Sequence, residues 1–359
     1  MIHLLYPVYT GVMIHTARSL AHVLPLAFLL LSFSACNPQP APTFTPSLTA
    51  PSARPSFTQT VPQVAQVATQ AVPTTLPSLT KPAHSETVDI TPTQSQMPTF
   101  PTINFANPSF VVVANNLPGP DDLVLAPDGS IYLSDVVAGV VEQLSADGSL
   151  KVIIKGLGAP EWMLFLPDGS LLVAEQGKNR LDRYDFRTHA LSTFMELPNL
   201  TGREGVDGLA LDTRPGRPAA IIIPDSPNGK ILRASLDGKN LTTIASGFAR
   251  PTGAWVEQDG SLLVVDENAN RLVRVHPDGA LENLADLPVP DDVVEDSSGV
   301  IYVACLGDNA VHVLSASGQP IASLAGIFSA PQGLLFTADG SLLVTDPGHY
   351  RIIKFISGK

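Results

Sequence analysis

The chain has 359 residues, with 21 Lys and Arg against 33 Asp and Glu, for a formal net charge of −12. That length accommodates one large domain or two ordinary ones. The acidic surplus excludes nucleic acid as the expected partner, because phosphate would be repelled over most of the surface, whereas cations and neutral solutes would not.

Arg18 is the only Lys or Arg ahead of a largely apolar run, Leu20 to Phe33, after which Ser34 and Ala35 lead to Cys36. A basic n-region, an apolar h-region and a small-residue cleavage site form the layout of a secretory signal. The competing reading is an uncleaved anchor, although the run is shorter than the ~20 apolar residues that span a bilayer. The segment resembles a bacterial lipoprotein signal, with Phe33 where such signals more often carry Leu. That resemblance implies a signal over residues 1–36, lipidation of Cys36, and a lipid-anchored, extracytoplasmic place in the bacterial cell envelope.

Residues 37–105 hold 13 prolines and only four charged residues, Arg54, Lys81, Glu86 and Asp89. A Pro/Thr/Ser-rich segment of this kind buries too little apolar surface to fold, so a disordered tether is expected. Its charges cancel, and residues 106–359 therefore carry 18 basic and 31 acidic residues, a net −13. The only other cysteine, Cys305, ends an apolar run and reads as a buried, inert thiol with no disulfide partner expected.

The remainder, 106–359, is repetitive. PDDLVLAPDGSIYLSD from Pro120, PEWMLFLPDGSLLVAE from Pro160, PTGAWVEQDGSLLVVD from Pro251, PDDVVEDSSGVIYVAC from Pro290 and PQGLLFTADGSLLVTD from Pro331 align, and a divergent copy starts at Val206. Six copies spaced by about 40 residues, with Asp-Gly and Ser-Gly turns, predict an all-β, six-bladed β-propeller of four short strands per blade. Third strands follow at Arg180–Phe186, Lys230–Leu236, Arg271–Pro277 and Arg351–Ser357. The last copy ends after three strands, and Ser109–Asn116 (SFVVVANN) matches the missing fourth. Pairing it with the C-terminal strand closes the ring and removes an exposed edge.

VVDENANRLVRVHPDG (Val264 to Gly279) and VTDPGHYRIIKF (Val344 to Phe355) resemble NHL repeats. The first-strand pattern resembles the SMP-30/gluconolactonase group, and its adjacent acids resemble those of paraoxonase-type arylesterases. The likeness covers residues 109–359 and implies a six-bladed propeller of this superfamily.

First strands line a propeller's central channel. Counting back eight from each turn glycine selects Asp121, Glu161, Thr252, Asp291 and Gln332, and alignment of the divergent copy adds Asp207. Four carboxylates and two neutral oxygen donors thus converge on one axis. Clustered carboxylates raise each other's pKa, and a hard cation relieves that. The absence of sulfur and imidazole from the set favours Ca²⁺ over Zn²⁺, with Asp121, Glu161, Asp207 and Asp291 as its ligands. The competing reading is that these acids satisfy loop N–H groups or keep an aqueous channel solvated. The family comparison places metal ligands at these positions, and by family position it implies that Asp291 takes a proton from water.

The acids ending the second strands, Asp135, Glu175, Asp225, Asp266 and Asp346, are expected to brace turns, with Arg180, Arg271 and Arg351 as partners. Candidate substrate contacts are Asp122, Trp162, Thr252, Gln332 and His349. Asp122 is the second acid of the paraoxonase-like pair, and His349 is the one histidine of a rim loop. Core packing competes for Trp162. No phosphate loop, Cys/His metal motif or Gly-x-Ser-x-Gly elbow is present.

Two functions from different classes fit. One is a Ca²⁺-dependent lactone or ester hydrolase acting at the channel mouth on a small molecule. The other is a non-enzymatic NHL-type propeller binding a solute, glycan or protein at the cell surface. A monomer touching the membrane only through its N-terminal lipid is expected in both.

Overall fold

The computed structural model describes residues 103–198 and 204–356; the signal, Cys36 and nearly all of the tether lie outside the described residues. The described chain forms six antiparallel four-stranded sheets, in the arrangement expected for a six-bladed β-propeller. Five sheets take their strands in consecutive order, beginning at Pro120, Pro160, Ala210, Pro251 and Pro290. The sixth combines Leu334–Phe336, Leu342–Asp346 and Arg351–Phe355 with Phe110–Asn115 from the other end of the chain. In that closing pair Phe110 faces Phe355 and Asn115 faces Arg351, with a bulge between Val112 and Ala114.

Side-chain alternation explains the apolar character of the middle strands. In blade 2, Leu171 and Val173 enter the cluster shared with blade 1, while Leu172 and Ala174 enter the one shared with blade 3. Both faces of a middle strand are therefore covered, so its sequence reads as an unbroken apolar run. Six such clusters, one per blade junction, make up the core. Fourth strands lie outermost and stay largely exposed, as in Ala190–Glu196.

The packed chain begins slightly ahead of position 106. Ile103 is buried in the junction of blades 5 and 6, and the Phe105 ring lies 6.3 Å from that of Tyr302. Among the described residues no helix is long and apolar enough to cross a membrane.

Candidate functional site at the channel mouth

Inner strands start at one rim of the channel, and hydroxyl clamps between blades hold the ring positions there. Ser134 Oγ donates to the Glu161 carbonyl at 2.6 Å, Thr345 Oγ1 to that of Asp121 at 2.5 Å, and Thr252 Oγ1 to that of Asp291 at 2.9 Å. Close approach of these strands also requires glycine next to the ring. A Cβ on Gly208 would stand 2.0 Å from the Thr252 carbonyl, and one on Gly333 would stand 2.5 Å from that of Asp121. Gly208→Ala is expected to cost about 1–3 kcal/mol, because the obstacle is main chain that cannot rotate away. An unchanged denaturant midpoint would show that the inner strands are free to separate.

Asp121, Glu161, Asp207 and Asp291 come together as expected. Asp121 and Asp207 are buried, while Glu161 and Asp291 keep some exposure. Burial, followed by the charges of Asp291 and Asp207, pushes the Asp121 carboxyl well above the usual range. Burial and then Asp121 do the same to Glu161. The contact between these two carboxyls favours the charged form of Asp121 and the neutral form of Glu161. Asp291 is pushed up to about 7 by burial and by Asp207, against the opposing pull of Arg250.

Arg250, Glu204 and Glu267 complete the mouth. Arg250 Nη2 contacts Asp207 Oδ2 at 2.6 Å and Glu204 Oε2 at 3.0 Å, and its Nη1 meets Glu267. The guanidinium thus supplies part of the compensation for which a metal alone was expected. Burial still raises the Asp207 carboxyl, with Arg250 as the main opposing influence. A readable signal marked this residue. Gly119, Ala159, Val289 and Ala330 precede the recurrent prolines of other blades, and Arg250 is the single long cation in that row.

The other candidates separate by depth. Asp122 and Asp292 lie one residue past the ring and reach across to the next blade, accepting the Met163 and Leu334 N–H groups at 2.8 Å each. Both carboxyls are raised mainly by burial, and each also by acids around it, Asp292 for Asp122 and Asp291 for Asp292. Beyond them the channel widens into a cavity of about 520 Å³ lined largely by apolar groups, with Asp122 and Trp162 in its wall. Trp162 also packs against the junction of blades 2 and 3. Asp122 and Trp162 therefore line this chamber, which none of the four ring carboxylates lines.

Thr252 spends its hydroxyl on the Asp291 carbonyl. Gln332 holds its ring position, partly exposed, with its N–H on the Thr345 carbonyl. His349 Nδ1 bonds Asp346 at 2.8 Å. The second-strand acids behave as turn braces: Asp135 accepts the Gly119 and Ala138 N–H groups, and Asp346 that of Ser329. Arg180, Arg271 and Arg351 pair with Glu175, Asp266 and Asp346 at 2.8, 2.9 and 2.9 Å.

As a donor set the mouth fits a hard cation. Asp121, Glu161 and Asp291 offer carboxylate oxygens, Gln332 a neutral one, and only Asp207 is tied directly to a guanidinium.

These features define a six-bladed propeller with an acidic channel mouth. Among solved structures the fold is similar to a gluconolactonase from Xanthomonas campestris (TM-score 0.59, 15% identity, 70% of this chain and 90% of that one). It is also similar to regucalcin, a calcium-binding protein from Agrobacterium tumefaciens strain C58 (0.57, 21%, 71% and 96%). A virginiamycin B lyase from Staphylococcus aureus shares it too (0.53, 19%, 67% and 81%). No protein-family model and no curated protein matches the sequence.

Proposed function

We propose that this chain is an extracytoplasmic, lipid-anchored propeller that hydrolyses a small lactone or ester at its channel mouth with the help of Ca²⁺. The observation that carries the reading is the convergence of Asp121, Glu161 and Asp291, with Asp207 held by Arg250, at the rim of one channel. Likeness in fold to a gluconolactonase and to a calcium-binding regucalcin supports it.

Asp121, Glu161, Asp291 and Gln332 would hold the ion, and when bound it would polarise a carbonyl oxygen. Asp291 is the proton acceptor. A carboxylate has two oxygens, so one can face the ion while the other is left to accept a proton. Its Oδ takes the proton of an attacking water. Arg250 fixes Asp207 and keeps the rim from carrying four free negative charges.

Asp291→Asn keeps an oxygen donor and removes the base. Against a panel of lactones and aryl esters it is expected to lose about 10²–10⁴ in turnover while retaining a Ca²⁺-induced rise in melting temperature. Full retained activity would sink the assignment of Asp291. If the parent protein turns over no member of the panel yet still responds to Ca²⁺, the non-enzymatic surface module is the better reading.

A further inference from the structure

Blade 5 departs from its neighbours where the second strand ends. Asp135, Glu175, Asp225, Asp266 and Asp346 occupy that place in the other five blades, and Cys305 occupies it here. The third strand opposite begins with Ala310, where blades 2, 3, 4 and 6 carry Arg180, Lys230, Arg271 and Arg351. The brace and its cation are thus both missing from this blade, and a different set of groups has taken their room.

Cys305 pairs with Ala310 across the strands, and Val303 pairs with His312, so Cys305 and His312 share one face of the sheet. The turn between the strands brings Asp308 over them, with its Oδ2 2.9 Å from His312 Nε2. One ligand atom from each of Cys305, Asp308 and His312 lies within 4.8 Å of the other two. The thiol is fully buried among Val265, Leu287 and Val303, while Asp308 and part of His312 face solvent.

We infer that Cys305, Asp308 and His312 form a second metal site, distinct from the carboxylate mouth and suited to a borderline-soft divalent ion of the Zn²⁺ type. Sulfur, imidazole nitrogen and one carboxylate oxygen form a set that Zn²⁺ takes in tetrahedral geometry. The exposed side of Asp308 leaves a fourth position for water. Ca²⁺ prefers six to eight oxygens and has little reason to enter. Binding replaces the S–H bond with a sulfur–metal bond and releases that proton to solvent. Because the thiol and the imidazole must give up protons to bind a metal, uptake should be weaker at low pH.

Co²⁺ serves as the probe on the full chain. A near-ultraviolet thiolate-to-cobalt absorption is expected to appear at one equivalent and to vanish on addition of Zn²⁺ but not of excess Ca²⁺. Cys305→Ala should remove it, and His312→Ala should weaken Co²⁺ binding about tenfold or more. Cys36→Ala, which leaves Cys305 as the only thiol, should retain it and carries the assignment even if Cys305→Ala fails to fold. The inference is overturned if the parent shows no such absorption, or if the absorption is lost in Cys36→Ala. It is equally overturned if Co²⁺ uptake survives in Cys305→Ala and disappears in Asp291→Asn, since the ion then sits in the mouth.

Discussion

Arg250→Met is expected to destabilise the propeller by about 3–5 kcal/mol in metal-free buffer near neutral pH. The guanidinium is only 12% exposed and contacts Asp207, Glu204 and Glu267. Methionine preserves much of the volume, so the loss would report charge and not packing. With three carboxylates left facing each other, protonation becomes the remaining relief, and part of the lost stability should return at pH 5. A thermal melt checks this, since a loss of that size lowers the midpoint of a domain this large by roughly 10 °C. A shift under about 1 kcal/mol would place Arg250 among ordinary surface pairs.

Stability should also fall as pH rises from about 4 to about 7, the reverse of a protein dominated by salt-bridged acids. The folded-state pKa of Asp291 is about 7, and Asp121, Asp122, Glu161 and Asp292 are raised in the same direction. Unfolded carboxyls release their protons near 4. Between those values the folded state binds more protons than the unfolded state, so the slope of unfolding free energy against pH is negative. Below that window the sign reverses, because groups with depressed values, such as Asp237 at about 2 and the Arg-bound Asp212, lose their contribution on protonation.

Ca²⁺ should cancel the neutral-pH deficit. At a concentration 100 times its Kd it would add about 2.7 kcal/mol, a rise of roughly 5–10 °C that a chelator reverses. Melting curves from pH 5 to 8, with and without Ca²⁺, test both statements. Identical midpoints across that range, indifferent to Ca²⁺ and chelator, would remove the hard-cation site and with it most of the hydrolase reading.

The repeat made the architecture legible. Turn glycines such as Gly129, Gly169 and Gly340 take positive φ, which local sequence alone specifies, and the short apolar runs between them are too regular for any arrangement but blades. Even the closing strand could be read, because a last copy lacking one strand leaves an edge that Ser109–Asn116 matches. The ring of Asp121, Glu161, Asp207 and Asp291 followed from the same periodicity: equivalent positions of a closed repeat must face one axis.

What each ring residue does was another matter. Thr252 stands in the ring by count, yet its hydroxyl clamps the next blade, and His349 is held by Asp346. Both outcomes depend on partners 39 and 3 residues away, and only the second lies within reach of a local pattern. The depth of Asp122, one layer below Asp121, is set by a hydrogen bond to Met163 across the blade junction.

By itself the sequence determined the number of blades, the position of the inner strands and the convergence of acids, because each is a consequence of period and turn chemistry. Tertiary structure alone decided that Arg250 answers part of that charge and that Cys305, Asp308 and His312 meet. The physical reason is distance in the chain against distance in space. Arg250 reaches Asp207 from 43 residues away, and the thiol meets the imidazole only through strand register. Electrostatic balance is a property of all groups within a few ångströms, and no one-dimensional spacing encodes which of them arrive.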